Sequence, residues 1–209
     1  MRTVPVVGVV LLAALLMAGC QSSSSPSSAN NAAAPAPSAT PQTVTAKAAF
    51  WPMYHAAHSW APDAAVFRLT AKSLSGFTND SGKAAMWEAV FASATLHQYR
   101  NFTYSIAAAP PQTYAGVTGG LAMPWGGETR DAMAIDTSRF NVDSDAAWKA
   151  ASSLAADWLK KNLQQSPAAL ELGENYRYPE PVWYVQWGDK KSGYAALVSA
   201  DTGKSLNRK

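Results

Sequence analysis

Cysteine and charge are scarce in the first part of this chain of 209 residues. The only cysteine is Cys20, and no Asp, Glu, Lys or Arg lies between Arg2 and Lys47. Beyond Cys20 the chain therefore has no intrachain disulfide, no thiolate nucleophile and no cysteine metal ligand. Any folded region there must be stabilised by the burial of apolar side chains, because no covalent cross-link contributes.

The motifs of several function classes are missing as well. Lys and Arg number 17 against 14 Asp and Glu, a balance too weak to indicate a nucleic-acid partner. No Gly-x-Ser-x-Gly sequence marks a serine nucleophile. His55 and His58 would share a helix face, but the glutamate of a His-Glu-x-x-His zinc site is absent. We predict no catalytic residue, no metal site and no cofactor. A hydrolase of undetected type stays an alternative, since the sequence alone does not pair carboxylates.

The apolar run Val4–Ala18 would form a helix of about 22 Å, shorter than the ~30 Å hydrocarbon core of a bilayer. Such a run after one positive charge is typical of an export signal. At its end, Met17-Ala18-Gly19-Cys20 resembles the lipobox of bacterial lipoproteins, with methionine in place of the usual leucine. The resemblance implies cleavage before Cys20, which then carries a diacylglyceryl thioether and an acylated amine. It predicts a signal peptide over residues 1–19 and a membrane partner bound through acyl chains.

Residues 20–46 predict a disordered tether. After the cysteine they are almost entirely Ser, Ala, Pro, Asn, Thr and Gln, which cannot bury enough surface to offset chain entropy. Gln21 resembles the residue that follows the cysteine in outer-membrane lipoproteins more than the aspartate that retains others in the inner membrane. We predict a lipid-anchored protein that faces the periplasm, on the outer membrane rather than the inner.

Each half of the remaining chain shows one helical pattern and three alternating patterns. In residues 144–162 small and aromatic residues recur on one helix face, with Asp143 or Ser144 as the N-cap. A second helix is predicted within 46–60, with Pro52 in its first turn. Strands are predicted where apolar and polar residues alternate: 65–74, 85–93 and 98–107 in the first half, and 168–176, 182–187 and 194–200 in the second.

The two halves share the order helix, strand, strand, strand. The sequence AVFRL of the first half aligns with AALEL of the second, and MWEAVF aligns with VWYVQW. We interpret this as a diverged duplication, with a coincidence of alanine-rich composition as the alternative. The prediction is an α+β fold of two tandem helix-plus-three-strand units, 47–134 and 135–209, whose helices pack on antiparallel sheets.

The C-terminal sequence PVWYVQWGDKKSGYAALVSADTGKSL and the earlier IDTSRFNVDSDAAWKAA are similar to PepSY-like domains over residues 135–209. In those domains a helix precedes antiparallel strands, and the last hairpin closes in an Asp-x-Thr-Gly-like turn. This chain departs from the pattern, because Asp201-Thr202-Gly203 is contiguous and Ser199 stands where an acidic residue is frequent. The resemblance implies a binding or inhibitory role, with no shared catalytic residues to carry over.

The segment 110–132 joins the two halves and carries three candidate binding residues, Tyr114, Trp125 and Arg130. One interpretation is a flexible joint that closes on a peptide or stacks on a glycan. The other is a long connector whose Trp125 packs in the groove between the units. As a whole, the sequence predicts a lipid-anchored envelope module, not an enzyme, that binds a protein or peptide. A glycan-binding module and an envelope hydrolase are the alternatives.

Overall fold

An antiparallel sheet lies at the centre of the molecule, with helices against one of its faces. The computed structural model describes residues 42–111, 113–162 and 169–207. Its helices are α1 (Ala46–Trp60), α2 (Ser144–Leu154) and α3 (Ala156–Lys161), with a 3₁₀ turn at Thr137–Arg139. Its strands are β1 (Ala65–Lys72), β2 (Met86–Ser93), β3 (Gln98–Ser105), β4 (Gly116–Gly119), β5 (Met123–Pro124), β6 (Ala169–Asn175), β7 (Tyr178–Trp187) and β8 (Tyr194–Ser199).

The α+β class is confirmed, but the prediction of two separate units is wrong. The strands lie in the order β4-β3-β2-β1-β6-β7-β8, and β5 pairs with the other end of β3, which makes one eight-stranded sheet. The two halves join where β1 pairs with β6 in antiparallel fashion. Thr70 and Glu171, which face each other in this ladder, are 101 positions apart in the chain. No local sequence pattern predicts a pairing between residues so distant.

The centre of the sheet brings equivalent positions of the two halves together. Leu69 and Leu172, which the alignment of AVFRL with AALEL superposes, pair directly with each other. An antiparallel ladder in which a residue meets its own counterpart has an approximate two-fold axis through that pair. This register supports the interpretation of a diverged duplication.

Buried indoles repeat the same contact in each half. The indole N–H of Trp87 donates to the carbonyl of Val44 at 3.0 Å, and that of Trp183 donates to the carbonyl of Val142 at 2.9 Å. Both indoles are fully buried, and each valine stands two residues before a helix begins. Val44 also pairs with Ala84, so the last residues of the predicted tether take part in the fold.

The helices differ from their predictions at two points. Pro52 lies inside α1 rather than in its first turn. The carbonyl of Ala48 therefore lacks the backbone N–H donor that any other residue would supply at position 52. This is tolerated because Ala48 and Pro52 are both on the exposed side of the helix. The helix predicted over 144–162 is interrupted after Leu154, whose carbonyl accepts a hydrogen bond from the Tyr194 hydroxyl at 3.1 Å. No helix within the described ranges has the length and apolar character needed to cross a bilayer.

The predicted strands are present, with different ends and two additions. β7 begins at Tyr178 and includes Pro179 and Pro181, which were expected to stand outside it. The register with β6 is irregular at this point, so neither proline interrupts a regular ladder. β4 and β5 fall in the segment that was predicted as a joint, because strands of four and two residues give no periodic pattern.

The core lies between the helices and one face of the sheet. Side chains from α1 and α2 pack against alternate residues of the strands, including Leu69, Phe91, Leu172 and Val185. The intervening residues of the same strands lie on the opposite face, which no helix covers in the part of the chain that the structure describes.

Candidate functional site

The helix-free face of the sheet carries a cleft of about 640 Å³. Six strands and the connector between the two halves supply its lining. Aromatic rings and charged side chains dominate it, namely Phe67, Tyr99, Trp125, Tyr178 and Tyr184 together with Arg68, Asp131, Glu171 and Glu174. A concave surface of this composition is a candidate binding site.

An irregularity in β1 places two adjacent side chains in the cleft. Val66 pairs with Phe91 and Arg68 pairs with Val90, so Phe67 has no partner on β2. An extra residue of this kind bends a strand and redirects its side chains, and such bulges are frequent next to functional sites. Phe67 and Arg68 therefore both line the cleft instead of alternating between the two faces.

Trp125 is the aromatic residue that the connector contributes to the cleft. Its ring packs edge-to-face on Phe67, with the ring centroids 5.4 Å apart. Its backbone N–H donates to the carbonyl of His97 at 2.9 Å, and further along the N–H of Met133 donates to the carbonyl of Glu174 at 3.1 Å. The connector is thus hydrogen-bonded to the turn between β2 and β3, and Met133, which directly follows it, is hydrogen-bonded to β6. The indole of Trp125 is half-buried.

The other two predicted binding residues lie outside the cleft. The guanidinium of Arg130 stacks on the ring of Tyr176, 4.1 Å from the ring centroid. Tyr114 is 65% exposed and lines a neighbouring cavity of about 480 Å³. The structure therefore does not bring the three candidates together, and of the three Trp125 alone lines the cleft. Cys20 lies outside the described residues.

Glu171 lies on the floor of the cleft and is half-buried. It faces Thr70 on β1 and Tyr184 on β7, and the Thr70 hydroxyl donates to its Oε2 at 3.2 Å. Burial raises the pKa of Tyr184, and the negative charge of Glu171 raises it further. Throughout the described ranges, no Lys, Arg or His nitrogen lies within 4.0 Å of the Glu171 carboxylate.

The cleft as a whole has an excess of negative charge. Asp131, Glu171 and Glu174 line it, and Arg68 is the one cation among its described lining residues. None of these four side chains forms an ion pair with another residue that the structure describes. Glu174 instead accepts the backbone N–H of Asp136 at 3.0 Å. These charges are available to a ligand.

Asn101 lies between the cleft and the neighbouring cavity and lines both. Its side-chain oxygen is buried and receives no hydrogen bond from the described residues. Its amide nitrogen lies 3.5 Å from Glu88, which pairs with Lys72 at 2.9 Å. A buried acceptor without a donor is destabilising, so this position favours a ligand that carries N–H or O–H groups.

The described residues offer contacts for a ligand, but they form no assembled nucleophile. His55 and His58 lie on α1, which packs on the other face of the sheet, and Nδ1 of His58 is 3.0 Å from the carbonyl of Tyr54. Among the described side chains, no imidazole is hydrogen-bonded to a serine hydroxyl. In the same ranges, no group of three or more His, Cys, Asp or Glu side chains could hold a metal ion.

Of the residues that line the cleft, the sequence pattern drew attention to Trp125 as a binding candidate but not to Phe67, Arg68, Glu171 and Tyr184. A lone tryptophan among glycines is conspicuous, whereas these four residues look like ordinary strand positions. One signal was available, because the alignment of AVFRL with AALEL places Arg68 over Glu171. An inversion of charge at one repeated position indicates that the two halves diverged on this face.

No protein-family model matches the chain, and no curated protein is significantly similar to it in sequence. The structure shows similarity to the crystal structure of a "putative lipoprotein" from Clostridium difficile 630. The match has 9% sequence identity and a TM-score of 0.42, and it covers 74% of this chain and 87% of that chain. A likeness at this level supports no conclusion about activity. The resemblance of residues 135–209 to PepSY-like domains therefore stays a prediction.

Proposed function

We propose that this protein is a lipid-anchored binding module of the bacterial cell envelope, and that its cleft binds a segment of a protein or peptide. The proposal rests on one observation: an aromatic cleft of about 640 Å³, with charges that make no ion pair among the described residues, on the helix-free face of the sheet. Binding sites of this kind combine apolar walls with a few polar groups that orient the ligand.

The location follows from the sequence around Cys20. A signal peptide over residues 1–19 would direct export, acyl chains on Cys20 would anchor the mature chain, and residues 20–46 would connect the anchor to the fold. The module would face the periplasm from the outer membrane. Mass spectrometry of the mature protein tests this step, with an acylated cysteine expected at the N-terminus. An unmodified Cys20, or a retained signal peptide, would contradict it.

The cleft is a better peptide site than the edges of the sheet. The outer edge of β8 is covered by the end of the described chain. There the carbonyl of Leu197 accepts the N–H of Leu206 at 2.8 Å, and the N–H of Leu197 donates to Asn207 Oδ1 at 2.7 Å. At the other edge β4 has four residues and begins and ends with glycine. In the described part of the chain, neither edge offers a long free row of backbone groups to which a peptide strand could add.

A glycan is the second candidate ligand. The half-buried rings of Tyr99, Trp125, Tyr178 and Tyr184 line the cleft, and carboxylates beside them could accept hydrogen bonds from sugar hydroxyls. The buried oxygen of Asn101 suits an N–H or O–H donor of either ligand, so the preference for a peptide comes from Arg68, whose guanidinium suits a peptide carbonyl.

Selection of random peptides on the full-length protein in detergent micelles tests the binding function. Enriched peptides are synthesised, and their affinities are measured by isothermal titration calorimetry. Trp125→Ala should weaken binding about tenfold or more, because buried tryptophans dominate the energetics of many interfaces. Trp51→Ala is the matched control, since Trp51 is 43% exposed and lies on α1.

Two results would contradict peptide binding at the cleft. One is the absence of any enriched peptide. The other is an equal loss of affinity in Trp125→Ala and Trp51→Ala, which would place the contact elsewhere. Trp125-dependent binding of chitotriose or of muropeptide glycans, without peptide binding, would favour the glycan-binding alternative.

A further inference from the structure

We infer that the cleft contains a subsite for a basic side chain, arginine or lysine, of the bound peptide, with Glu171 as its anionic partner. This inference rests on the proposed function, because it specifies which peptides the cleft selects. It is carried by the charge of the cleft floor, the aromatic residues around it and the β1–β6 register.

Among the residues that the structure describes, none supplies a cationic partner to the Glu171 carboxylate. It is half-buried between Thr70 and Tyr184, and the Thr70 hydroxyl is its hydrogen-bond donor among the described residues. A carboxylate has room for about four hydrogen bonds, and partial burial without a cation carries a desolvation cost. A bound guanidinium or ammonium group would supply both the missing donors and the opposite charge.

The surroundings of Glu171 also suit the rest of a basic side chain. Phe67, Trp125, Tyr178 and Tyr184 line the same cleft. Aromatic faces attract cations, and the apolar stems of arginine and lysine pack well on rings. The further carboxylates of the cleft add to its attraction for a positive charge, since its lining carries three acidic groups and one basic group.

Arg68 does not neutralise Glu171, although both lie at the junction of the two halves. Arg68 faces Gly173 and Glu171 faces Thr70, so the two charges are diagonal neighbours, and no ion pair joins them. The positive charge of Arg68 opposes a small free cation but suits the carbonyl oxygens of a peptide. Together the two groups favour a peptide with a basic side chain over a metal ion or a polyamine.

The net charge of the protein makes a test informative. The full chain carries a formal charge of +3, so non-specific attraction would not favour basic peptides. A preference for such a peptide must therefore arise from a local group of opposite sign. Among the described residues, the cleft carboxylates have the position for this role.

The test uses two acetylated and amidated heptapeptides, identical except for arginine or norleucine at the central position. Each is titrated into the full-length protein in detergent micelles by isothermal titration calorimetry. We expect the arginine peptide to bind about tenfold more tightly, which is the usual value of a charge-assisted hydrogen bond. This advantage should vanish in Glu171→Gln and persist in Asp157→Asn, whose changed side chain is 91% exposed on α3.

Equal affinities of the two peptides for the wild-type protein would overturn the inference without any variant. An arginine advantage that survives in a folded Glu171→Gln protein would overturn it too. Further outcomes distinguish failure of the subsite from failure of the proposed function. Trp125-dependent binding of selected peptides that contain no basic residue would leave the binding function intact and remove the subsite. The absence of all peptide binding would remove both.

Discussion

At the scale of single residues, Trp87 and Trp183 make the same contact with different consequences. The carbonyl of Val44 accepts the indole of Trp87 and also the backbone N–H of Ala84 at 2.9 Å. The carbonyl of Val142 accepts the indole of Trp183 and no other hydrogen bond within the described ranges. Loss of the second indole would therefore leave the carbonyl of the half-buried Val142 without a donor.

Replacement of each tryptophan by phenylalanine separates this effect from the loss of volume. Both variants lose the same ring atoms, so both should be less stable than the wild type. Trp183→Phe should lower the free energy of unfolding by about 1 kcal/mol more than Trp87→Phe, because only the former leaves a carbonyl without a donor. Urea unfolding of the two variants measures the difference. Equal losses would contradict this account of the Val142 carbonyl.

Asp63 gives a prediction for the dependence of stability on pH. The backbone N–H of Thr95 and the hydroxyl of Ser93 lower its pKa from 3.8 to about 2. The unfolded chain therefore takes up this proton at a higher pH than the folded chain does. The stabilisation from Asp63 is present above about pH 4 and is lost as the pH falls through about 2.

Asp63→Asn should flatten this part of the pH profile. Between pH 4 and pH 2, the free energy of unfolding of the wild type should fall more steeply than that of the variant, as measured by urea titrations at several pH values. Asp157→Asn removes the same charge at an exposed helix position and is the control. Parallel profiles for the wild type and Asp63→Asn would contradict the prediction.

Sequence patterns located residues of the site unevenly, for a physical reason. Trp125 attracted attention because a large aromatic residue in a glycine-rich connector belongs to no periodic pattern, although packing between the halves was an equally available explanation. Glu171 was not found because its significance depends on what faces it from β1 and β7. A carboxylate on a strand is usually solvated, and only the tertiary pairing shows that this one meets no cation among the described residues.

At the scale of elements, α1 depends on residues from the start of α2. Thr45, at the N-cap position of α1, makes no side-chain cap. Instead the N–H of Ala46 donates to Ser144 Oγ at 2.8 Å, and the N–H of Lys47 donates to Asp143 Oδ1 at 3.0 Å. Asp143, one of the two predicted N-cap residues, also caps its own helix. The sequence predicted both helices but not this shared cap, because it joins residues 98 positions apart.

Ser144→Ala tests the shared cap. Ser144 is fully buried, so its removal leaves the N–H of Ala46 without an acceptor, and the free energy of unfolding should fall by about 1–2 kcal/mol. Ser153→Ala is the matched control, since Ser153 is exposed on the same helix and should change stability by less than about 0.5 kcal/mol. Thermal unfolding by circular dichroism compares the two, and equal effects would count against the cap.

At the scale of the whole molecule, the sequence predicted the parts better than their assembly. Alternation of apolar and polar residues predicted six of the strands, because one face of each strand is buried. The sequence did not predict that the sheet is continuous. β1 would show the same alternation of apolar and polar residues at the edge of a separate unit as it does at the centre of the joined sheet. The pairing of β1 with β6 decides between them, and it is set by the long-range packing of the two halves.

The β1–β6 ladder predicts that the two halves unfold together. Leu172 is 1% exposed and pairs with Leu69 at the centre of the sheet, so Leu172→Ala should lower the free energy of unfolding by about 2–5 kcal/mol. Because the core is continuous across this pair, amide protection measured by hydrogen exchange should fall in β2 as well as in β7. Leu154→Ala, at a position that is 40% exposed, should leave both strands protected. A loss of protection confined to residues 135–207 would show that the halves behave as independent folding units, despite the ladder that joins them.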